Sequence, residues 1–329
     1  MTNEVGGLLR RAGLPENFIV TNPQFGSSTF GGAAIVTNLA NSTYHSLHVS
    51  ATKRLSQGFT NQTTYSWSKS LGTFYMDPRD RSSKSLQTFH RTHEFRSNGT
   101  YQLPFGPNQK FLSGAPSWVS RIVERWQLGG IFNWNSGAPL SFVAGPNPFM
   151  LLAPGGAGST NNFPNVVGAF PKDSGQVTIS KTQPGRIDYF PGLQRVTDPL
   201  RNGITNSQTL RTASNLFAIA DANGNLVLTN PEAGKIGNMG AYWIEGPGQI
   251  GLNANLLKRI RLSEGKEFEI RLDAINMLNH PNFSNPVMDI LNPAFGTIPL
   301  PGAPGSTGAS PLPANAGNRQ FTFNARLNF

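Results

Sequence analysis

Gly246, Gly248 and Gly251 spell G-x-G-x-x-G, the spacing that lets a main chain approach a dinucleotide pyrophosphate. That chemistry needs a strand before the first glycine and a helix after the last. Here a Gly/Pro stretch precedes the run and an alternating segment follows it, which predicts a loop entering a strand. His45 and His48, like His90 and His93, stand three residues apart. On a helix that spacing would bring two imidazoles to one metal, but on a strand such positions face opposite sides. Asp77 and Asp80 with Arg79 and Arg81 form a charge cluster that reads as a solvated loop, open to ligand contact. The chain has no cysteine, so thiolate nucleophiles, disulfides and Cys-built zinc sites are excluded. No Ser/His/Asp set or paired carboxylates stand out. The expectation is a protein without catalytic residues, metal ligands or cofactors.

Composition points the same way. Only 13% of the 329 residues are charged, against roughly 25% in ordinary soluble domains, while Gly numbers 36, Pro 25 and Phe 22. These proportions suit a β protein with long loops. The net charge of +10 is spread along the chain without a dense basic run, so no nucleic-acid partner is expected. No apolar stretch approaches the ~18 residues of a spanning helix. Met1-Thr2-Asn3-Glu4 opens no basic and apolar leader, which gives the expectation of a chain lacking its N-terminal part.

The elements that position these residues are strands. Residues 319–329 put Phe321, Phe323, Ala325, Leu327 and Phe329 on one face and Gln320, Thr322, Asn324, Arg326 and Asn328 on the other. The same period of two runs through 44–55, 59–69, 93–103, 121–135, 249–262 and 266–277. Seven strands are predicted.

Two turns are near-copies, Lys53–Phe59 and Ile260–Lys266, each with a loop ending in glycine, Gly58 and Gly265. A three-residue loop, a type I turn plus a left-handed glycine, sets Leu55 opposite Phe59 and Leu262 opposite Lys266. This register pairs Val49 with Tyr65, Leu47 with Trp67, Ile260 with Phe268 and Leu256 with Leu272. On the polar face it sets Arg261 opposite Glu267 and Arg259 opposite Glu269. A slip of one residue would spoil both faces.

Connections alternate between short and long. Ser56–Gly58 and Ser263–Gly265 are tight and 104–120 is moderate, whereas 70–92, 136–248 and 278–318 are long. Short turns at one end and long loops at the other are the outer-membrane barrel arrangement. Lys53, Glu124 and Lys258 fall on the apolar register near the short-turn end, where a cation reaches the interface.

Asn41–Leu55, Thr64–Ser70, Thr92–Gly106, Gly246–Asn253 and Arg271–Phe283 together resemble the barrel of Oar-like TonB-dependent outer-membrane receptors. The resemblance implies an all-β fold, an antiparallel transmembrane β-barrel fragment: an open curved sheet of about seven long strands with long extracellular loops. Residues 1–43 would be a loop or incomplete barrel segment, and 44–329 the C-terminal part of the barrel with a loop insertion over 136–248. The function implied is active uptake of a scarce, unnamed ligand. The partners implied are outer-membrane lipid and lipopolysaccharide, the barrel assembly machinery, and TonB through a plug region outside this chain. Phe321, Phe323, Ala325, Leu327 and Phe329 would be the assembly signal, and Gly58 and Gly265 would sit in periplasmic hairpin turns. The alternative is a secreted β-sandwich or adhesin-like binding module, in which the apolar faces would meet inside a closed core.

Overall fold

The computed structural model describes residues 40–73, 84–144, 162–180, 185–200, 217–231, 235–263, 265–298 and 318–329. Seven long strands form one antiparallel meander: β1 Ser42–Ser56, β2 Phe59–Thr73, β3 His93–Gln102, β4 Trp126–Asn135, β5 Gln249–Ser263, β6 Lys266–Ile275 and β7 Gln320–Asn328. Each pairs with its neighbours in sequence, and a short strand, Lys84–Leu86, adds to β2. Among the described residues the sheet is not closed, and β1 and β7 are its edges. No described helix is long and apolar enough to cross a membrane.

The register follows the hydrophobic alternation. Leu47 faces Trp67, Val49 faces Tyr65, Ile260 faces Phe268, Leu256 faces Leu272, Arg259 faces Glu269 and Arg261 faces Glu267. The closing pairs differ from expectation by one residue: Ser56 faces Phe59, and Ser263 faces Lys266. The turns are therefore two residues long, and a bulge between Lys53 and Ser56, or between Arg261 and Ser263, absorbs the shift. Gln57 and Gly58 have φ of 51° and 75°, two successive left-handed residues as a type I′ turn requires. Such a turn matches the strand twist better than the expected type I.

The fourth strand begins later than its pattern suggests. Residues Ser117–Val123 are helical, Arg125 turns the chain with φ of 56°, and β4 starts at Trp126.

The buried core lies outside the long sheet. Phe142, Phe163, Tyr189, Phe190, Ile219, Val227 and Leu228 come from the connection after β4, and Ile290, Phe295 and Ile298 from the connection after β6. Phe142 centres an aromatic group, 5.2 Å from Phe190 and 6.0 Å from Phe295 between ring centroids. Short strands frame this loop unit: Phe217–Ala220 pairs with Leu226–Thr229 and with Gln194–Thr197, and Ile244–Glu245 pairs with Pro139–Leu140. The first of these pairs is a hairpin turning at Asn223-Gly224. Its loop spans five residues, because the Asp221 carboxylate accepts the Asn223 and Asn225 N–H groups at 2.9 and 2.8 Å.

Candidate functional site

The two faces of the long sheet have opposite chemistry. One row runs Val49, Tyr65, Phe95, Trp134, Ile250 across five strands, and another runs Tyr101, Leu128, Leu256, Leu272, Phe323. Several of these side chains stay open: Val49 is 51% exposed and Phe323 66%. Leu252 and Leu256 are only half-buried, by neighbours in their own sheet, and neither joins the buried core. A contiguous apolar face of this extent needs an apolar environment. The closed-core arrangement of a β-sandwich is not what these residues form.

Polar side chains on this outward face are satisfied locally. Thr63 Oγ1 donates to Asn61 Oδ1 at 2.8 Å, and Asn61 Nδ2 donates to Ser97 Oγ at 3.1 Å. Such internal pairing limits the cost of polar groups where no water is at hand. Near the long-loop end, His93 stacks between Tyr65 and Trp134, with both ring centroids 6.2 Å away. Near the short-turn end, Phe59 and Tyr101 meet edge to face at 6.2 Å.

The other face is polar along its length. Thr60 and Thr100 hydroxyls lie 2.8 Å apart, as do His48 Nδ1 and Ser66 Oγ. Ion pairs run along this face: Arg259–Glu269 at 3.2 Å and Arg125–Glu267 at 3.0 Å toward the short turns, Arg271–Asp273 at 2.7 Å farther along β6, and Arg96–Glu94 toward the long loops. Arg261 stands opposite Glu267 in register, but the ion pair of Glu267 is with Arg125. Apolar side chains interrupt the face at Leu257, opposite Arg271, at Ile275, opposite Gln320, and at Ile131, half exposed between Asn98 and Asn253. This face has the character of a barrel lumen.

A third region joins the wall to the loop unit. The Ser70 N–H donates to His90 Nδ1 at 3.3 Å, His90 Nε2 faces Thr92 Oγ1 at 3.3 Å, and Thr92 donates to the Glu245 carboxylate. Tyr189 of the loop core donates to the Glu245 carbonyl at 2.6 Å. Burial lowers the His90 pKa from 6.5, and Arg91 and Lys69 reinforce this against the opposing pull of Glu245. Burial also pushes the Tyr189 phenol up to about 12.

The residues singled out in sequence take clear places. Gly246–Gly251 leads from a loop into β5, and no helix follows. His45 and His48 fall on opposite faces of β1, with only His48 on the polar side. Asp77, Arg79, Asp80 and Arg81 lie outside the described residues. Gly58 and Gly265 occupy the two tight turns with φ of 75° and 78°. Phe321, Phe323, Ala325, Leu327 and Phe329 are exposed; Phe321 through Leu327 line the outward face of edge strand β7, and Phe329 follows directly. Lys258 departs from expectation. Its ammonium does not reach the interface but is buried under the helix, bonded to the carbonyls of Arg121 and Glu124.

Sequence reasoning missed the His90–Thr92–Glu245 chain, because Glu245 lies far from the other two in sequence. It also missed the helix. Trp118, Ile122 and Trp126 recur every four residues, so they satisfy a period of two and one near 3.6 alike.

Residues 12–320 match the family described as outer membrane beta barrel domain. No curated protein and no solved structure matches the chain. With one face fit for lipid, one fit for water, and a family match over most of its length, the chain belongs to the outer membrane β-barrel family and resides in the outer membrane as an integral protein.

Proposed function

We propose that this barrel wall serves a TonB-dependent receptor of the Oar-like class, which takes up a scarce ligand across the outer membrane. The observation that carries the reading is the loop unit, built from the connections after β4 and β6 around Phe142, Phe190 and Phe295. A non-selective pore needs no folded cap of this kind, whereas a receptor needs an ordered surface to capture ligand. In this reading the polar face lines the lumen around a plug, and TonB acts through that plug region. The chain works without catalysis. Lipid and lipopolysaccharide surround the wall, and the assembly machinery reads the terminal strand through Phe321, Phe323, Ala325, Leu327 and Phe329. Gly58 and Gly265 sit in periplasmic turns.

The test is uptake by a receptor containing this barrel, with residues 145–235 deleted. Loss of energised uptake with normal barrel insertion supports the proposal. Unchanged uptake contradicts it.

A further inference from the structure

The connection between β3 and β4 carries the helix Ser117–Val123, and the C-terminal end of this helix is tied to the outward face of the wall. Trp126 Nε1 donates to the Ile122 carbonyl at 2.8 Å, and Lys258 Nζ donates to the Arg121 carbonyl at 2.8 Å and to that of Glu124. Trp126 and Lys258 are direct cross-strand partners on the outward register. The contact serves both sides. The last carbonyls of a helix lack intrahelical donors, and a lysine can supply them. A cation on a lipid-facing register is costly unless something polar covers it.

The burial of this helix is the reverse of what water would select. Its covered side holds Ser120, which is buried, with Val119 and Val123 half-buried. Its open side holds Trp118 and Ile122, one turn apart and 68% and 59% exposed, with exposed Ser117 and Arg121 beside them. A water-bathed helix buries its largest apolar side chains and exposes its serines. Phe111 and Leu112, earlier in the same connection, are exposed as well.

We propose that Ser117–Val123 is an interfacial anchor, clamped to the wall by Lys258 and Trp126, which sinks Trp118 and Ile122 into the boundary between headgroups and acyl chains at the short-turn end. Two features select lipid rather than a protein as the occupant. The helix is continuous with the lipid-facing surface, because both groups that clamp it stand on that surface and exposed Leu128 follows Trp126 along it. Its open side also combines an indole, a branched aliphatic and a guanidinium. The indole and the aliphatic suit the edge of the hydrocarbon, and the long Arg121 side chain can carry its charge out to the headgroups. The proposal rests on the lipid-facing wall and is independent of ligand uptake.

The experiment uses the full chain in phosphatidylcholine nanodiscs, with the Trp118 fluorescence taken as the difference from a Trp118→Phe variant. Three quenchers are compared: lipid brominated near the headgroup, lipid brominated near the chain ends, and iodide in the surrounding water. The expected result is strongest quenching by the shallow bromines. Strongest quenching by iodide or by the deep bromines overturns the proposal, and so does protection from all three, which would mean that protein covers the helix. A second measurement tests the clamp. The Ser120 and Glu124 N–H groups donate to the carbonyls of Pro116 and Ser120, both at 2.9 Å. In Lys258→Met their hydrogen exchange should quicken about tenfold, the scale of one lost charge-assisted bond, while the amides pairing β5 with β6 keep their rates. Unchanged exchange at Ser120 and Glu124 overturns the clamp, and the quenching order in the unaltered chain decides the anchor whatever the variant does.

Discussion

Trp126 and Trp134 stand eight residues apart on the outward face of β4, one near the short turns and one near the long loops. The neighbouring strands repeat the spacing, with Tyr101 and His93 on β3 and Phe59 and Trp67 on β2. Eight residues of strand span about 27 Å, or about 21 Å along the membrane normal at a tilt near 40°. That is close to the ~25 Å apolar band of an outer-membrane barrel, whose two rims carry aromatic girdles. The rings on these three strands therefore mark the limits of the hydrocarbon.

Between those limits, charge should be costly on one face only. Leu252→Arg, on the outward register of β5 between the midplane and the long-loop rim, is expected to lose ~1–3 kcal/mol of stability in bilayers. Asn253→Arg, on the lumen side, should lose well under that. Urea titration of folded protein in vesicles checks the pair, and equal losses would count against the assigned faces.

The two tight turns should respond differently to the same change. At Gly58 a Cβ would lie 3.1 Å from both the Cβ and the carbonyl oxygen of Gln102, whereas at Gly265, among the described residues beyond its chain neighbours, no atom lies within 4 Å. Both glycines have positive φ, so each alanine carries a conformational cost of ~1 kcal/mol. Gly58→Ala should cost more than Gly265→Ala by the added crowding, measurable as a lower unfolding midpoint.

Acid should loosen the contact between wall and loop unit. His90 satisfies both neighbours only as the neutral Nε2–H tautomer, with Nδ1 accepting from Ser70 and Nε2 donating toward Thr92. Its pKa is lowered in the folded state, so the unfolded chain takes up the proton first as pH falls below about 6.5. Stability is therefore full above that value, declines as pH drops through the interval to the folded pKa, and levels off below it. Glu245, Arg91 and Lys69 face the ring and remain in place in a His90→Gln variant. Limited proteolysis of the 162–245 region across pH 5–8 should show increasing cleavage toward acid, a trend much reduced in that variant.

The terminal strand makes a separate claim on biogenesis. Phe329 is 87% exposed at the end of edge strand β7, available to another protein. Phe329→Asp should reduce the amount of barrel in the outer membrane, and quantitative immunoblots of membrane fractions check this. Normal levels would remove Phe329 from the assembly signal.

The wall was legible in sequence because its strands have one dry face, and a period of two cannot be shifted by one residue without exposing it. The pairs Leu47–Trp67 and Leu256–Leu272 followed directly. The closing pairs did not, because a bulge can displace the last residues without disturbing the faces. The helix at Ser117–Val123 was hidden by a spacing that fits strand and helix alike, although Pro116-Ser117 marks a start compatible with helix. The loop core was out of reach for another reason. Phe142, Phe190 and Phe295 come from segments with no periodicity and meet only through tertiary packing.

The central claim, that the outward face lies in lipid, is open to direct measurement because the chain contains no cysteine. Single cysteines at positions 250–257 of β5, spin-labelled in outer-membrane vesicles, can be assayed for collision with oxygen, which partitions into lipid, and with a polar nickel chelate, which does not. The prediction is an alternation: oxygen dominates at 250, 252 and 256, and the chelate at 251, 253 and 255. Comparable chelate access on both sets, or oxygen access at neither, would contradict the membrane-spanning wall.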